Sequence, residues 1–179
     1  MYMANDTNST TSHLVASNLA LEALATKLGA ALKAKSYMLA LAESCTGGLV
    51  AQAITSVAGS SAWFDRGFIT YSNLAKIEML SVDEQTLMKF GAVSEETALE
   101  MALGALKNSQ AHISGSITGI AGPDGGTTDK PVGTVCFAWA EVGNPAQAIT
   151  VKFSGNRNEI RQQAAATIMT KLIERLNQQ

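Results

Sequence analysis

The segment Tyr37 to Ile54, YMLALAESCTGGLVAQAI, narrows the folds open to this chain more than any other stretch. Its first half, Tyr37 to Ala42, is an apolar run with the length of a buried strand. The run stops at Glu43-Ser44-Cys45-Thr46-Gly47-Gly48, and Leu49, Ala53, Ile54 and Val57 then recur at helical spacing, which predicts a helix from about Gly47 to Val57. A strand, a turn of small polar residues and a helix start place a hydroxyl beside backbone N–H groups that have no partner within the helix. Such groups can hold a phosphate or a developing oxyanion. The same residues also fit a plain βα turn, with Thr46 as helix cap and two permissive glycines.

The remaining chain repeats this alternation. Residues 1–13 are polar and without apolar period, and are read as a disordered tail; from Leu14 to about Lys33, Leu21, Leu24, Leu28 and Leu32 mark a helix. Gly67 to Tyr71 is a second strand, and Ser72-Asn73 starts a short helix with Leu74, Ile77 and Leu80 on one face and Lys76 on another. Ser81-Val82-Asp83-Glu84 fits a capping box for a helix to Phe90, and Ser94 caps one to Lys107. His112 to Ile120 is a third strand. Val132 to Ala140 and Ala148 to Phe153 form a hairpin across Gly143-Asn144-Pro145, and a last helix follows Asn158. No repeat or linker divides the chain, which points to one domain over residues 14–179.

Helix-separated strands pair in parallel and the closing hairpin adds one antiparallel member. The C-terminal ends of the first three strands then share one sheet edge, where α/β proteins bind ligands. Ser44, the Tyr71–Lys76 segment, the Gly122–Gly126 loop and the Arg157 region should meet there.

Composition excludes several classes. A net charge of −2 lacks the basic excess of a nucleic-acid-binding surface. The two cysteines, Cys45 and Cys136, have no CxxC or CxxH neighbour, so neither a metal site nor a disulfide framework is suggested. No apolar stretch reaches the roughly 20 residues of a membrane span. The polar start, without Lys or Arg and without a following apolar stretch, is no signal peptide, and a reducing, cytoplasmic setting is expected.

Ser44 is a candidate nucleophile without the GxSxG elbow, though a bare serine at a helix start is more often a cap. Cys45 reads as a buried thiol facing away from it. His13 lies in the polar tail and His112 opens a strand, so no histidine is placed to act as base. Lys76 is the lysine that topology brings to the edge, with Lys130 a weaker alternative; a solvated helix lysine is the other reading. As a base it must titrate below the free value of about 10.4, through burial or through the like charges of Arg157 and Arg66. Tyr71 fits a strand aromatic with a wet hydroxyl, and Arg157 with Arg161 fits either an anion clamp or a solvated face. No GxxxxGK[ST] occurs, which disfavours an NTPase.

Ala42 to Gly48, Gly67 to Asn73, Gly91-Ala92-Val93-Ser94, Thr118 to Gly126 and Lys130-Pro131-Val132-Gly133-Thr134, in this order, resemble the CinA C-terminal domain family. Stand-alone members of that family include PncC-type nicotinamide-nucleotide amidohydrolases. The similarity runs from about Leu24 to Leu172, and the N-terminal nucleotide-handling domain of longer members has no counterpart in this sequence. The resemblance implies a three-layer α/β/α sandwich on a mixed five-stranded sheet with its fourth strand antiparallel. It implies hydrolysis of the carboxamide of nicotinamide mononucleotide, giving nicotinate mononucleotide and ammonia, with no metal and no cofactor. Carried over by position, the nucleophile falls on Ser44, the lysine on Lys76, the tyrosine on Tyr71 and the arginine near the last helix on Arg157. Residue 66 is Arg where many members have Gly, a change expected at the pocket rim.

The combined expectation is a serine-type amidase acting on a small nucleotide, with no nucleic-acid or membrane partner and a possible homo-oligomer. Thr46, Gly47 and Gly48 would hold the oxyanion through their N–H groups. Arg157, Thr118, Gly122, Gly125 and Gly126 would hold phosphate and ribose. The alternative is a non-catalytic nucleotide-binding or interaction protein of the same fold, which would release no ammonia.

Overall fold

The parallel pairing expected for helix-separated strands is present in the computed structural model, which describes residues 7–178, with side chains from Ser17 on. Strands β1 (Leu39–Glu43), β2 (Phe64–Ile69), β3 (Ile113–Gly119), β4 (Thr134–Glu141) and β5 (Asn144–Lys152) form one sheet in the order β2-β1-β3-β4-β5. β1 is parallel to β2 and β3, while β4 is antiparallel to β3 and β5. The C-terminal ends of β1, β2 and β3 therefore lie on one edge, beside the start of β4 and the end of β5.

Alternation along the strands assigns each helix layer its side chains. Leu39, Leu41, Ile113, Ile117, Val135 and Phe137 pack against α1 (Thr7–Ala34), α2 (Leu49–Thr55) and α6 (Arg157–Asn177). Full burial of each such side chain is worth about 1.5–3 kcal/mol. The opposite face is built from small residues. Ala40, Ala42, Ala138 and Ala140 meet α3 (Asn73–Leu80), α4 (Glu84–Phe90) and α5 (Glu95–Lys107). Small side chains let α5 come close, and the Ser114 and Ser116 hydroxyls donate to the Ala102 and Ala98 carbonyls of that helix at 2.6 Å each. A Cβ added at Gly104 would overlap the Leu80 carbonyl, so the α3–α5 contact also needs a glycine. No helix among the described residues is long and apolar enough to cross a membrane.

Several boundaries differ from the sequence reading. Residues 7–13, expected in a polar tail, extend α1 from Thr7, since adding residues to a formed helix costs far less than nucleating one; residues 1–6 lie outside the described ones. β2 begins at Phe64 and ends at Ile69, leaving Tyr71 beyond it, because the register is set by pairing with β1 rather than by the β-branched run. Ser81 does not open a capping box. It ends α3 in the left-handed region with φ 57°, and Asp83 caps α4 instead, accepting from Gln85 N–H. β5 starts at Asn144 and tolerates Pro145 because it is an edge strand, its turn being Val142-Gly143.

Candidate active site

The alternation that sorts the core also divides Glu43 from Ser44. β1 is buried along its whole length, and Glu43 faces α2, where its Oε2 accepts from the N–H groups of Gly48 (2.9 Å) and Val50 (3.2 Å) and its Oε1 from Ala51 N–H (2.9 Å). Ser44 turns to the other side. Its N–H donates to the Ile117 carbonyl, which continues the sheet edge by one residue, and its hydroxyl accepts from Lys76 Nζ at 3.1 Å.

Lys76 reaches this position because Ser72 caps α3, accepting from Ala75 N–H, immediately after the chain leaves β2. The expected apolar face of that helix is rotated: Leu74 is 61% exposed, and Lys76 is 1% exposed, on the same side as Leu80. The amine also donates to the Thr70 carbonyl at 2.9 Å. Burial lowers its pKa from the ordinary 10.5, with nearby Cys45 acting in the opposite sense. The like charges expected to assist do not act here. Arg66 pairs with Asp65 at 2.7 Å and donates to the Asn108 carbonyl, away from the cleft rim. A neutral amine that donates to Thr70 keeps its lone pair for the Ser44 proton.

A cleft of about 260 Å³ opens above these groups, lined by Ser44, Cys45, Tyr71, Asn73, Lys76, Thr118, Gly122, Asp124, Gly125 and Arg157. All four expected clusters meet there. Arg157, the first residue of α6, spans the mouth, donating through Nη1 to the Gly122 carbonyl (2.8 Å) and through Nη2 to the Tyr71 hydroxyl (3.0 Å). Asn156 caps that helix in a capping box with Glu159, which fixes where Arg157 begins. Arg161, one turn on, donates to the Thr46 carbonyl at 2.6 Å.

Other expected positions are placed differently. Gly126 is not in the cleft wall; a Cβ there would press on the Val132 amide at 2.8 Å. Thr118 lines the cleft, but its hydroxyl donates to the Ala92 carbonyl at 2.7 Å, so its proton is committed to the fold. Of the three N–H groups expected to face an oxyanion, Gly47 donates to the Ser44 carbonyl and Gly48 to Glu43. Among the described residues Thr46 N–H has no such partner, and Cys45 N–H meets its own sulfur. The Cys45 thiol lines the cleft rather than facing away; burial pushes its pKa up to about 12, so it is a neutral thiol at ordinary pH. Lys130 donates to the Phe90 carbonyl and lines a separate pocket, and His112 accepts from Met38 N–H at the opposite sheet edge.

Sequence reasoning gave no role to Glu43, Asn73 or Asp124. Glu43 carried a usable signal: a carboxylate closing a wholly apolar strand must be buried, and a buried charge requires donors, here those of the helix that follows.

Residues 21–176 match the CinA C-terminal domain. Nicotinamide-nucleotide amidohydrolase PncC of Enterobacter agglomerans is 55% identical over 157 residues, covering 86% of this chain and 94% of that protein. The protein of the same name from Escherichia coli K12 is 53% identical over 149 residues, covering 83% and 90%. The crystal structure of competence/damage inducible protein CihA from Agrobacterium tumefaciens superposes with a TM-score of 0.85 at 46% identity, over 88% of this chain and 96% of that one. Competence damage-inducible protein A (ComA) from Klebsiella pneumoniae subsp. pneumoniae MGH 78578 gives 0.85 at 36% identity, over 89% and 99%.

Proposed function

The chain belongs to the CinA C-terminal domain family, and from that premise we propose that it hydrolyses the carboxamide of nicotinamide mononucleotide to nicotinate mononucleotide and ammonia, with Ser44 as nucleophile and Lys76 as its base. The observation that carries the mechanism is the buried Lys76 amine, 3.1 Å from the Ser44 hydroxyl with its pKa lowered by burial. The substrate comes from the relatives named nicotinamide-nucleotide amidohydrolase.

Ser44 Oγ attacks the carboxamide carbon while its proton passes to neutral Lys76. The carbonyl oxygen becomes an oxyanion, stabilised by backbone N–H groups of the Cys45–Thr46 turn. The intermediate collapses as the lysine ammonium protonates the departing nitrogen. Ammonia leaves, and an ester links Ser44 to the nicotinoyl group. Water then attacks the ester, Lys76 takes its proton, and that proton returns to Ser44 as the carboxylate product forms. Thr70 O holds the amine in line throughout. Arg157 uses two of its donors on Tyr71 and Gly122, leaving others for the substrate phosphate, and the Tyr71 hydroxyl, accepting from Arg157, has its own proton to donate. The loop of Gly122 and Gly125 closes the ribose side and sets the carboxamide against Ser44.

Ammonia release from nicotinamide mononucleotide by the wild-type chain, beside Ser44→Ala, is the test. Release by wild type alone supports the reading; nucleotide binding without release by either protein refutes it.

A further inference from the structure

Glu43 is fully buried, yet among the described residues it forms no ion pair with a cation; its two oxygens accept three backbone N–H groups at the start of α2. The rest of the turn is equally committed. Between Ser44 and Ala51, Ser44 N–H donates to Ile117 O, Gly47 N–H to Ser44 O, and Leu49 N–H to Thr46 O. Gly48, Val50 and Ala51 donate to Glu43. Among the described residues Thr46 N–H is left without an acceptor and the adjacent Cys45 N–H meets only its own weakly accepting thiol, both next to the Ser44 hydroxyl.

We propose that Glu43 is a positioning residue for acyl transfer at Ser44: by tying α2 to the end of β1, it holds the Cys45 and Thr46 N–H groups open for the oxyanion. This rests on the reading of Ser44 as nucleophile. α2 has no local cap of the usual kind, since Gly48 stands at its N-cap without a side-chain hydrogen bond. A serine there would satisfy one N–H within the helix. A glutamate reaching from β1 instead joins both flanks of the nucleophile, and Arg161 fixes the third side through Thr46 O. The chemistry requires a carboxylate. Three donors need two acceptor oxygens, whereas a glutamine offers one oxygen and an NH₂ that must face an N–H. Among the described residues, the buried carboxylate is held by those three bonds.

The decisive variant is Glu43→Gln, compared with wild type in three measurements. The first is the rate at which a fluorophosphonate labels Ser44, a step in which the Oγ–P bond forms, fluoride leaves and the hydroxyl proton passes to Lys76. The second is kcat and KM on nicotinamide mononucleotide, and the third is the Kd of nicotinate mononucleotide. Labelling and kcat should each fall at least about tenfold, because the phosphoryl oxygen and the amide oxyanion share the displaced donors. KM and product Kd should stay within about twofold. Glu43→Asp keeps the charge but draws the carboxylate back by about 1.5 Å, one C–C bond, and should show the same split.

Wild-type labelling rates in either folded variant overturn the proposal. So does a product Kd that weakens in step with labelling, which would mean a general collapse of the cleft. If Glu43→Gln does not fold, Glu43→Asp decides; if neither folds, Glu43 serves the fold alone and the proposal fails. A wild-type chain whose Ser44 is not labelled overturns it too. A wild type that is labelled but releases no ammonia refutes the substrate while leaving the Glu43 split to stand on labelling and Kd.

Discussion

Replacing Lys76 by methionine and by arginine separates its two properties, a removable proton and a positive charge. Methionine fills similar space and has neither; arginine keeps the charge but does not deprotonate in proteins. In the native cleft the amine makes hydrogen bonds to Thr70 O (2.9 Å) and Ser44 Oγ (3.1 Å). General-base catalysis contributes about 10²- to 10⁴-fold, or about 2.7 to 5.4 kcal/mol at 1.36 kcal/mol per tenfold. Both variants should therefore lose at least about a hundredfold in kcat/KM, followed as ammonia release per folded enzyme. An arginine variant retaining more than about a tenth of wild-type activity refutes the reasoning, since position 76 would then supply charge alone.

The pH dependence follows from the direction of the Lys76 shift. The reactive form is the neutral amine, so kcat/KM should rise with pH through the folded-state pKa and flatten above it, and that pKa lies below 10.5 because burial disfavours the ammonium. Stability has the same sign. Between the lowered folded value and 10.5 the unfolded chain binds the extra proton, so this group makes the fold more stable as pH rises across that window and less stable as pH falls through it. Lys76→Met lacks the term. Its stability relative to wild type should be greatest at low pH, offset by about 1–3 kcal/mol for leaving the Thr70 carbonyl without its donor. Denaturant titrations of both proteins over pH isolate the difference, and parallel curves would contradict burial as the cause.

Ser44→Ala should abolish ammonia release while changing unfolding free energy by no more than about 1 kcal/mol, since Ser44 accepts one hydrogen bond and is not the α2 cap; turnover by the folded variant would remove Ser44 from its role. Arg157→Ala should lower kcat/KM on the mononucleotide at least about tenfold, from about 1.5–3 kcal/mol for a charge-assisted bond, and act less on the corresponding nucleoside. Equal losses on both substrates would mean that Arg157 orders Tyr71 and the Gly122 loop without touching phosphate. The Cys45 thiol, pushed up to about 12 by burial, should resist iodoacetamide in the folded protein at neutral pH, as read by mass spectrometry of the labelled peptides.

The element order was legible because apolar spacing and helix caps agree over most of the chain, and topology alone brought Ser44, Tyr71, Lys76, Gly122 and Arg157 to one edge. What stayed illegible was orientation. The rotation of α3 that buries Lys76 and exposes Leu74 goes against ordinary hydrophobic preference, and becomes favourable only when Thr70 O, just ahead of the helix, and Ser44 Oγ, at the end of another strand, receive the amine. The N–H groups of Gly47 and Gly48 looked free because a glycine-rich turn shows no acceptor in its own residues. Their partners lie just upstream, on Ser44 and Glu43. β2 was displaced for a related reason: Asp65 and Arg66, paired with each other at 2.7 Å, mask the start of an edge strand.

On the proposed mechanism, strand parity also separates the Lys76 base from a buried carboxylate. Burial lowers the Lys76 pKa, and a carboxylate within hydrogen-bonding reach would favour its ammonium form and oppose that shift. Glu43 is adjacent in sequence to Ser44, but alternation sends it to the α2 side of the sheet, where three N–H groups satisfy it. Ser44 alone faces the amine. A register slip of one residue in β1 would exchange the two, directing the carboxylate at Lys76 and the hydroxyl at α2. Lys76 would then be held as an ammonium, unable to take the serine proton. The β1 register, fixed by the pairings Leu41↔Gly67 and Leu41↔Gly115, is thus a condition of the proposed chemistry as well as of the core.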